Sequence, residues 1–298
     1  MSEKDNRFLM VGLGEVLWDL LPGGRQLGGA TANFAWHAAA LGGRGALASC
    51  VGDDHLGRRI IERLDAMGLD RSAVAVDAEH PTGTVRVELD AGGDAAFTIQ
   101  ENVAWDFIPL APPAVELAAR ADAVCFGSAA QRSPVSRQTI AAFLRATRSG
   151  CLRLFDVNLR QSYYSREVIV ESLGACEVLK LNDEELPTVA GLLGMSGTRD
   201  ELLCELLRRY SLRLVVLTCG PNGSTLRTPE EASVLPGRKV DIADTVGAGD
   251  AFTAAVATGL LKGWDLSAVH RLADRLAAYV CTQAGATPAL PAEFRQAP

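Results

Sequence analysis

Residues 244–255 read DTVGAGDAFTAA and place two glycines and an acid directly before an apolar, helix-forming run. Glycines let backbone N–H groups approach an anion closely, and the start of the following helix adds its positive end. Asp250 therefore has two interpretations. It could cap the helix, because acids near a helix N-terminus are stabilised by the dipole and by free amides. It could instead be a catalytic base at the centre of an anion-binding turn.

Short apolar runs alternate with amphipathic stretches along the chain, a pattern typical of parallel strands covered by helices on both faces. The predicted strands are residues 8–13, 46–51, 123–126, 152–155, 178–181 and 214–218. The predicted helices are residues 31–41, 57–67, 135–148, 200–209, 251–261 and 266–282. Because no repeat or composition shift marks a linker, we expect residues 1–298 to form one α/β domain with a mainly parallel central sheet.

Residues 82–99 break this rhythm, because TGTVRVELDAGGDAAFTI alternates apolar and polar residues by twos around DAGGD at 90–94. The pattern predicts a β-hairpin. A hairpin inserted into an α/β domain is either an edge decoration or a lid over a site at the carboxyl ends of the strands, where such folds bind ligands. The pattern alone leaves both uses open.

The charge and cysteine content argue against several function classes. A net charge of -7 over 298 residues disfavours nucleic-acid binding, which needs a basic footprint. The seven cysteines are odd in number and include no C-x-x-C pair, so we expect reduced thiols in a cytosolic protein. The opening MSEKDNR lacks the apolar core of a signal peptide, and no run approaches ~18 apolar residues. We therefore predict a cytoplasmic protein without membrane contact.

Several common catalytic motifs are absent. No Walker A pattern occurs, and the G-x-G at Gly12 is followed by Leu17 where the dinucleotide fingerprint needs its third glycine. The four histidines show no metal-ligand spacing, and no G-x-S-x-G elbow exists. A nicotinamide dehydrogenase, a zinc enzyme and a triad hydrolase are therefore poorly supported.

Phosphoryl transfer would explain why an acid, Asp250, follows an anion-binding turn. An unpaired carboxylate beside a bound phosphate is repelled by it, so the presence of an acid there needs a reason. In phosphoryl transfer, a carboxylate accepts the proton of the attacking hydroxyl while backbone N–H groups hold the charge that spreads over the transferred group. Asp250, preceded by the turn at 247–249, fits that pair of tasks.

Two regions near the start of the chain suit a polar ligand. Gly28 and Gly29 precede a predicted helix that carries Asn33 in its first turn. A ligand lying on the glycine backbone and bonded by Asn33 explains this arrangement, and so does a simple helix start. Asp19 follows the first predicted strand and is a good acceptor for two sugar hydroxyls.

Two further groups of polar residues follow predicted strands. FDVNLR at 155–160 places three polar residues, Asp156, Asn158 and Arg160, at a strand end, where loops carry sites. Asn182 and Glu185 follow the next strand, and their oxygens suit a hydrated Mg²⁺. Capping of a surface helix, with Asn182 as N-cap and Glu185 at the third helical position, explains the second pair almost as well.

The motifs taken together resemble the ribokinase-like, or PfkB, family of sugar kinases. LGGATANFA (27–35) resembles the glycine-rich sugar motif of that family, and DTVGAGDAF (244–252) resembles its ATP and anion-hole motif. Further family-like stretches occur in the expected order: GEVLWDLLP (14–22), VGDDHLG (51–57), FDVNLR (155–160), LKLNDEE (179–185), TCGPNGS (218–224) and AGATPALP (284–291). The resemblance covers nearly the whole chain and implies a Rossmann-like, three-layer α/β/α domain with a small β-sheet lid, inserted near residues 15–28 and 82–105.

The resemblance also implies roles for individual residues. The catalytic group comprises Asp250 as base, with the amides of Gly247, Ala248 and Gly249 as the anion hole. The sugar-binding group comprises Asp19, Gly28, Gly29 and Asn33, with Phe97, Asn158 and Arg160 as further candidates. The ATP-binding group comprises Asn182, Thr218, Gly220, Gly223 and Gly249. Glu185 would hold Mg²⁺ through water, and Asp244 with the carbonyl of Val246 would hold K⁺ beside the loop at 283–286.

Within the family, GEVLWD, GGATANFAWH and the VAWDFI stretch (103–108) look most like bacterial fructokinases. Thr31 and Val157 depart from that subfamily, where Pro is common at both positions. Related kinases act on 2-keto-3-deoxygluconate, ribose or a nucleoside, and a sugar sensor without catalysis is an alternative of another class. The resemblance further implies a lid that pairs between subunits, so we expect a homodimer, with Phe97 and Ile99 facing inward to exclude water.

Overall fold

The computed structural model of the protein describes residues 7–21, 23–89 and 95–296, and of residues 87–89 and 95–97 only the backbone. The strands are β1 (Leu9–Leu13), β2 (Leu17–Leu21), β3 (Gly24–Gly28), β4 (Arg44–Gly52), β5 (Asp70–Asp77), β6 (Thr84–Leu89), β7 (Ala95–Ile99), β8 (Ala123–Phe126), β9 (Leu152–Asp156), β10 (Val178–Asn182), β11 (Leu214–Thr218), β12 (Ser224–Arg227) and β13 (Ala232–Leu235). The α-helices are α1 (Ala30–Ala40), α2 (His55–Ala66), α3 (Pro112–Arg120), α4 (Pro134–Ala146), α5 (Arg166–Gly174), α6 (Glu185–Leu193), α7 (Arg199–Tyr210), α8 (Ala248–Leu261) and α9 (Leu266–Cys281).

The central sheet has nine strands in the order β13-β12-β11-β10-β9-β8-β1-β4-β5. The strands from β11 to β5 pair in parallel, and only β12 and β13 are antiparallel at one edge. Successive side chains of a strand point to opposite faces. Helices cover both faces, so the predicted α/β fold with a mainly parallel sheet is confirmed.

Alternate residues of the strands pack against different helices. Leu214 and Val216 of β11 join the cluster formed with α1, α8 and α9, whereas Val215 and Leu217 join the cluster formed with α3 to α7. Burial of both faces explains why these strands are apolar throughout. In the part of the chain described, no helix is both long enough and apolar enough to cross a membrane.

A second sheet of four strands has the order β3-β2-β6-β7. The antiparallel pair β6 and β7 is the hairpin predicted from the alternating pattern, although its turn at 90–94 lies outside the described residues. The pair β2 and β3 follows β1 directly and joins the hairpin through a parallel contact between β2 and β6. The small sheet is therefore built from two separate segments of the chain.

The structure adds elements that the apolar pattern does not predict, among them β5, α3, α5 and α6. β5 reads DRSAVAVD and carries polar residues, as an edge strand can. The helices α3, α5 and α6 have nine residues each, and α3 and α6 contain proline in the first turn. Proline is tolerated there because its missing N–H would have no helical partner.

The carboxyl ends of four strands lie at the same end of the central sheet, because these strands are parallel neighbours or near-neighbours: β1, β9, β10 and β11. α1 crosses close to β1: a Cβ on Gly12 would lie 2.0 Å from the carbonyl oxygen of Thr31. Only glycine allows that approach. The start of α1 therefore lies beside the carboxyl ends of these strands.

Candidate active site

The turn before α8 carries the residues of the opening motif. Gly247 is the N-cap residue in the left-handed conformation, with φ 78°. A Cβ at this position would lie 2.6 Å from the carbonyl oxygen of Ala286, so the turn needs glycine for its conformation and for its space. The Ala248 amide donates a long hydrogen bond of 3.3 Å to the carbonyl oxygen of Thr245. The first N–H groups of a helix, including that of Gly249, have no intrahelical acceptor and can bind an anion.

Asp250 lies in the first turn of α8, and that helix has no side-chain cap. Its Oδ2 instead accepts a hydrogen bond of 2.8 Å from Nδ2 of Asn33 on α1. Asp250 is therefore not the cap of α8, although it is an acid in the first turn, where the helix dipole favours one. The bond joins the two regions that carry the glycine motifs, which are 217 residues apart in the chain.

The surroundings of Asp250 raise its pKa to about 6. Burial is the main cause and the negative charge of Asp156 adds to it, while Asn33, Lys180 and Arg160 act in the opposite direction. A carboxyl with this pKa is mostly ionised at neutral pH, yet it is more basic than an ordinary aspartate. These are the properties of a general base.

The predicted sugar-binding residues at the start of the chain lie together. Asp19 is on β2, paired with Gln26 of β3, and a Cβ on Gly28 would lie 2.3 Å from its Oδ2. Gly29 is the N-cap residue of α1, with φ 107°. Asn33 follows in α1 and is buried. Burial raises the pKa of Asp19 to about 6, against the effect of the positive charge of Arg160.

The loop after β9 approaches the same place. Asn158 has a positive φ of 43° and lines, with Asp156, Asp250 and Thr253, a cavity of about 10 Å³. Arg160 is exposed, and its Nη1 donates to the carbonyl of the preceding Leu159. The positive charge of Arg160 stabilises the ionised forms of Asp19 and Asp250.

Asn182 and Glu185 bond to each other's backbone. Asn182 Oδ1 accepts from the amides of Glu184 and Glu185 at 3.0 and 2.8 Å, and Glu185 Oε2 accepts from the Asn182 amide at 2.8 Å. Glu185 Oε1 accepts from the Leu159 amide at 2.9 Å. The capping interpretation accounts for these bonds, although α6 itself begins at Glu185 with Glu184 as the N-cap residue. Two bonds still leave lone pairs on the Glu185 carboxylate for a water bound to a cation.

The predicted nucleotide turn follows β11. Thr218 ends this strand directly beside Asn182 of β10. Gly220 and Gly223 have φ of 50° and 97°, and a Cβ on Gly223 would lie 2.0 Å from the carbonyl oxygen of Leu235. The two glycines form a tight turn at the strand end, next to the Asn182 group, in which the Gly223 amide donates to the Gly220 carbonyl oxygen at 3.1 Å.

Asp244 connects the two loops predicted to hold K⁺. Its Oδ1 accepts from the Val246 amide at 3.0 Å and its Oδ2 from the Gly285 amide at 3.1 Å. The carboxylate and nearby backbone carbonyls are oxygen ligands of the kind a hard cation prefers. Within the residues that the structure describes, no three His, Cys, Asp or Glu side chains come together as a metal site.

His37 on α1 supports the neighbouring loop. Its Nε2 is 2.9 Å from the carbonyl oxygen of Ala286. Burial lowers the pKa of His37 to about 4, so the ring is neutral and donates this hydrogen bond from Nε2. Since Ala286 contacts Gly247, the same helix that bonds Asp250 also holds the loop beside the anion-binding turn.

Two buried charged residues of the site, Lys180 and Glu15, were not singled out from the sequence, whereas Asp156 was one of the polar residues predicted at a strand end. Lys180 donates from Nζ to Asp156 Oδ1 at 2.9 Å. Glu15 accepts the Ala30 amide on Oε1, its Oε2 has no partner among the described residues, and burial raises its pKa to about 7. The signal for Lys180 was a single lysine in the apolar strand VLKLN, because a buried lysine needs an acidic partner.

Two features stand apart from this cluster. Phe97 lies on β7, but its side chain is outside the described residues, so its predicted contact with sugar stays a prediction. A larger cleft of about 410 Å³ lies at the opposite ends of the strands. It is lined by the ends of α4 and α8 and by Arg145 and Arg213. Helix C-termini carry partial negative charge, which accounts for the arginines there.

Comparison with known proteins gives a consistent answer. Residues 23–293 match the family described as pfkB family carbohydrate kinase. The fructokinase of Klebsiella pneumoniae is 33% identical over 280 residues, which cover 89% of this chain and 86% of that protein.

Two solved structures are similar over almost the whole chain. One is an engineered double mutant of the fructokinase from Vibrio cholerae O395 bound to fructose, ADP and potassium, with a TM-score of 0.82, 27% identity and 97% of each chain covered. The other is an uncharacterized sugar kinase from Pyrococcus horikoshii in complex with ATP, with a TM-score of 0.80, 28% identity and 94% of each chain covered. The chain therefore belongs to the pfkB family of carbohydrate kinases and is a sugar kinase.

Proposed function

We propose that the protein is an ATP-dependent fructokinase in which Asp250 is the general base. The observation that carries the proposal is the place of Asp250, in the first turn of α8 and bonded to Asn33, with a pKa raised to about 6. A base must be ionised before the reaction and able to hold a proton during it, and this carboxyl meets both conditions.

The reaction is a direct transfer. The sugar hydroxyl oxygen forms a bond to the γ-phosphorus of ATP, the bond from that phosphorus to the β–γ bridging oxygen breaks, and ADP leaves. Asp250 takes the hydroxyl proton. The amides at 247–249 and the positive end of α8 stabilise the charge on the transferred phosphoryl group.

Sugar binding falls to the residues around Asp250. Asp19 and Asn33 accept and donate hydrogen bonds to hydroxyls, and the backbone at Gly28 and Gly29 allows the ring to lie close. Asn158 and Arg160 complete the site from the loop after β9. The small sheet, with Phe97, serves as the lid that keeps water from the reaction.

The other substrate lies along the ends of β10 and β11. Thr218, Gly220, Gly223 and Asn182 border the nucleotide there. Mg²⁺ neutralises charge on the β- and γ-phosphates when bound, and Glu185 would orient its water shell. Asp244 and the Val246 carbonyl would hold K⁺, which supports the turn from outside. The ATP, ADP and potassium named for the similar structures support these assignments.

Fructose is the favoured sugar because the named relatives favour it. The Klebsiella protein is called a fructokinase and the Vibrio structure holds fructose. Kinases of 2-keto-3-deoxygluconate, ribose and nucleosides share the skeleton, so the site geometry alone does not separate the sugars. We also propose a homodimer through the small sheet, whose outer strands β3 and β7 offer open edges for pairing.

The test is the rate of ADP release with Mg-ATP and each of fructose, ribose, 2-keto-3-deoxygluconate and adenosine. We expect the highest kcat/KM with fructose. The variant Asp250→Asn keeps the shape and the bonding of the side chain, so sugar binding should persist while kcat falls by about 10²–10⁴. A different preferred sugar would overturn the substrate assignment, and near-normal turnover of the variant would overturn the role of Asp250.

A further inference from the structure

A buried ion pair lies beneath the phosphoryl-transfer site. Lys180 on β10 and Asp156 on β9 are direct partners in the parallel register, so their side chains share one face of the sheet. Lys180 Nζ is 2.9 Å from Asp156 Oδ1, and the two side chains are 9% and 6% exposed. A buried ion pair gives little net stability compared with apolar residues of the same size. Its presence here needs another reason.

The pair contacts α8 on both sides of Asp250. On one side, a Cβ on Gly249 would lie 3.1 Å from Lys180 Nζ, so the ammonium packs directly against the anion-binding turn. On the other side, the hydroxyl of Thr253 donates to Asp156 Oδ2 at 2.9 Å. The single helical turn that carries the base is therefore supported at both ends by the same ion pair.

The pair also contributes opposite charges close to Asp250. The titratable and charged groups that interact with this carboxyl come from several elements: Glu15 after β1, Cys125 on β8, Asp156 on β9, Arg160 after β9 and Lys180 on β10. Glu185 on α6 interacts with the ion pair itself. Asp156 raises the pKa of Asp250, and Lys180 lowers it by a smaller effect. Asp156 in turn helps to keep Lys180 charged, since it raises the pKa of the ammonium against the effect of burial.

We propose that Asp156 and Lys180 are positioning residues for phosphoryl transfer, which together hold the turn from Gly249 to Thr253 in place and balance the charge felt by Asp250. The inference rests on the proposed function of Asp250 as the base. It assigns no contact of Lys180 with substrate: both act through the helix turn and its carboxylate.

The direct test is the pKa of Asp250, measured by NMR of protein labelled with ¹³C at the aspartate carboxyls. The signal is assigned by its loss in Asp250→Asn. In Lys180→Met we expect the pKa of Asp250 to rise by about 1 unit, because a stabilising cation is removed. In Asp156→Asn we expect it to fall by about 1 unit, because a repelling anion is removed. In the double variant the pKa of Asp250 should lie slightly below the wild-type value, and closer to that value than in either single variant.

Activity provides the second measurement. The acidic limb of the kcat/KM profile should move to higher pH in Lys180→Met and to lower pH in Asp156→Asn. In the double variant, kcat should fall by about tenfold or more, since the turn loses its support. The matched control is Arg153→Met, which removes the cation of another ion pair, with Glu177, at the opposite end of β9. In Arg153→Met, the pKa of Asp250 and the pH profile of kcat/KM should equal those of the wild type.

The outcomes separate the two proposals. A wild type that phosphorylates no sugar would overturn the proposed function, while the NMR titration would still decide the inference. Unchanged Asp250 pKa values in both single variants would overturn the inference, and so would equal shifts in Arg153→Met. If one single variant fails to fold, the direction in which the pKa of Asp250 shifts in the other single variant tests the inference. If both fail, wild-type kcat in the double variant overturns the inference.

Discussion

Gly247→Ala is expected to disable the anion-binding turn with only a modest loss of stability. The residue has φ 78°, a conformation that costs an alanine roughly 1 kcal/mol. The new Cβ would also lie 2.6 Å from the Ala286 carbonyl oxygen and 2.7 Å from its Cα and Cβ. Ordinary contacts begin near 3.4 Å, and most of the opposing atoms are backbone. The turn or the loop at 283–286 must therefore shift by about 0.8 Å.

A shift of this size moves the amides that we propose to face the phosphoryl group. Misplacement of a catalytic group by about 1 Å can lower the rate by about 10². We therefore expect kcat of Gly247→Ala to fall by about 10² with fructose and Mg-ATP, measured by coupled ADP release. Asp250 and Asn33 are untouched, so equilibrium binding of fructose, measured by calorimetry, should stay near the wild-type value.

Gly263→Ala is the matched control. Gly263 follows α8 with φ 71°, and a Cβ there would meet no atom within 4 Å. It should lose a similar ~1 kcal/mol of unfolding free energy from the backbone conformation alone and keep the wild-type kcat. If Gly247→Ala also keeps kcat within about twofold of the wild type, the turn does not bind the transferred group as reasoned here.

Two further variants test the base and the cation. The wild-type kcat/KM should fall as the pH drops below about 6, because Asp250 must be ionised to accept a proton. Asn33→Ala removes the hydrogen bond that favours the ionised form, so the pKa of Asp250 should rise and this fall should begin at higher pH; an unmoved profile would contradict the assigned bond. Asp244→Asn removes the negative charge between the two loops, so rates in K⁺ and in Li⁺ should become equal. A preserved preference for K⁺ would place the cation elsewhere.

Much of the fold could be predicted because the strands of the central sheet are buried on both faces. Runs such as Leu214–Thr218 are apolar for their whole length, and their boundaries were predicted directly. β12 and β13 have only four residues each, β12 alternates buried and half-buried positions and β13 has no buried one, so neither gives such a signal. In α6, the proline that disfavours a helix by propensity is accepted in the first turn.

The site was predictable where its residues are adjacent in the chain and not where it depends on pairing between distant strands. The motif at 244–252 carries its own glycines, helix start and acid. By contrast, Lys180 and Asp156 meet only because β9 and β10 are parallel neighbours in one particular register. Local patterns contain no information on register between strands separated by a helix. The bond from Asn33 to Asp250 was also unpredicted, although both residues were candidates, because it depends on how α1 packs beside α8.

Helix α1 has a consequence for how the specificity of such an enzyme can change. It bonds Asp250, the proposed base, through Asn33 and the loop at 283–286 through His37, so the proposed reacting parts share one support. Asp19 and Gly28, on the sugar side, belong instead to the small sheet, which comes from other segments of the chain. Substitutions in that sheet can reshape the pocket for another hydroxyl compound while the atoms that transfer phosphate stay in register. Selection, natural or in the laboratory, can therefore act on the choice of acceptor separately from the chemistry.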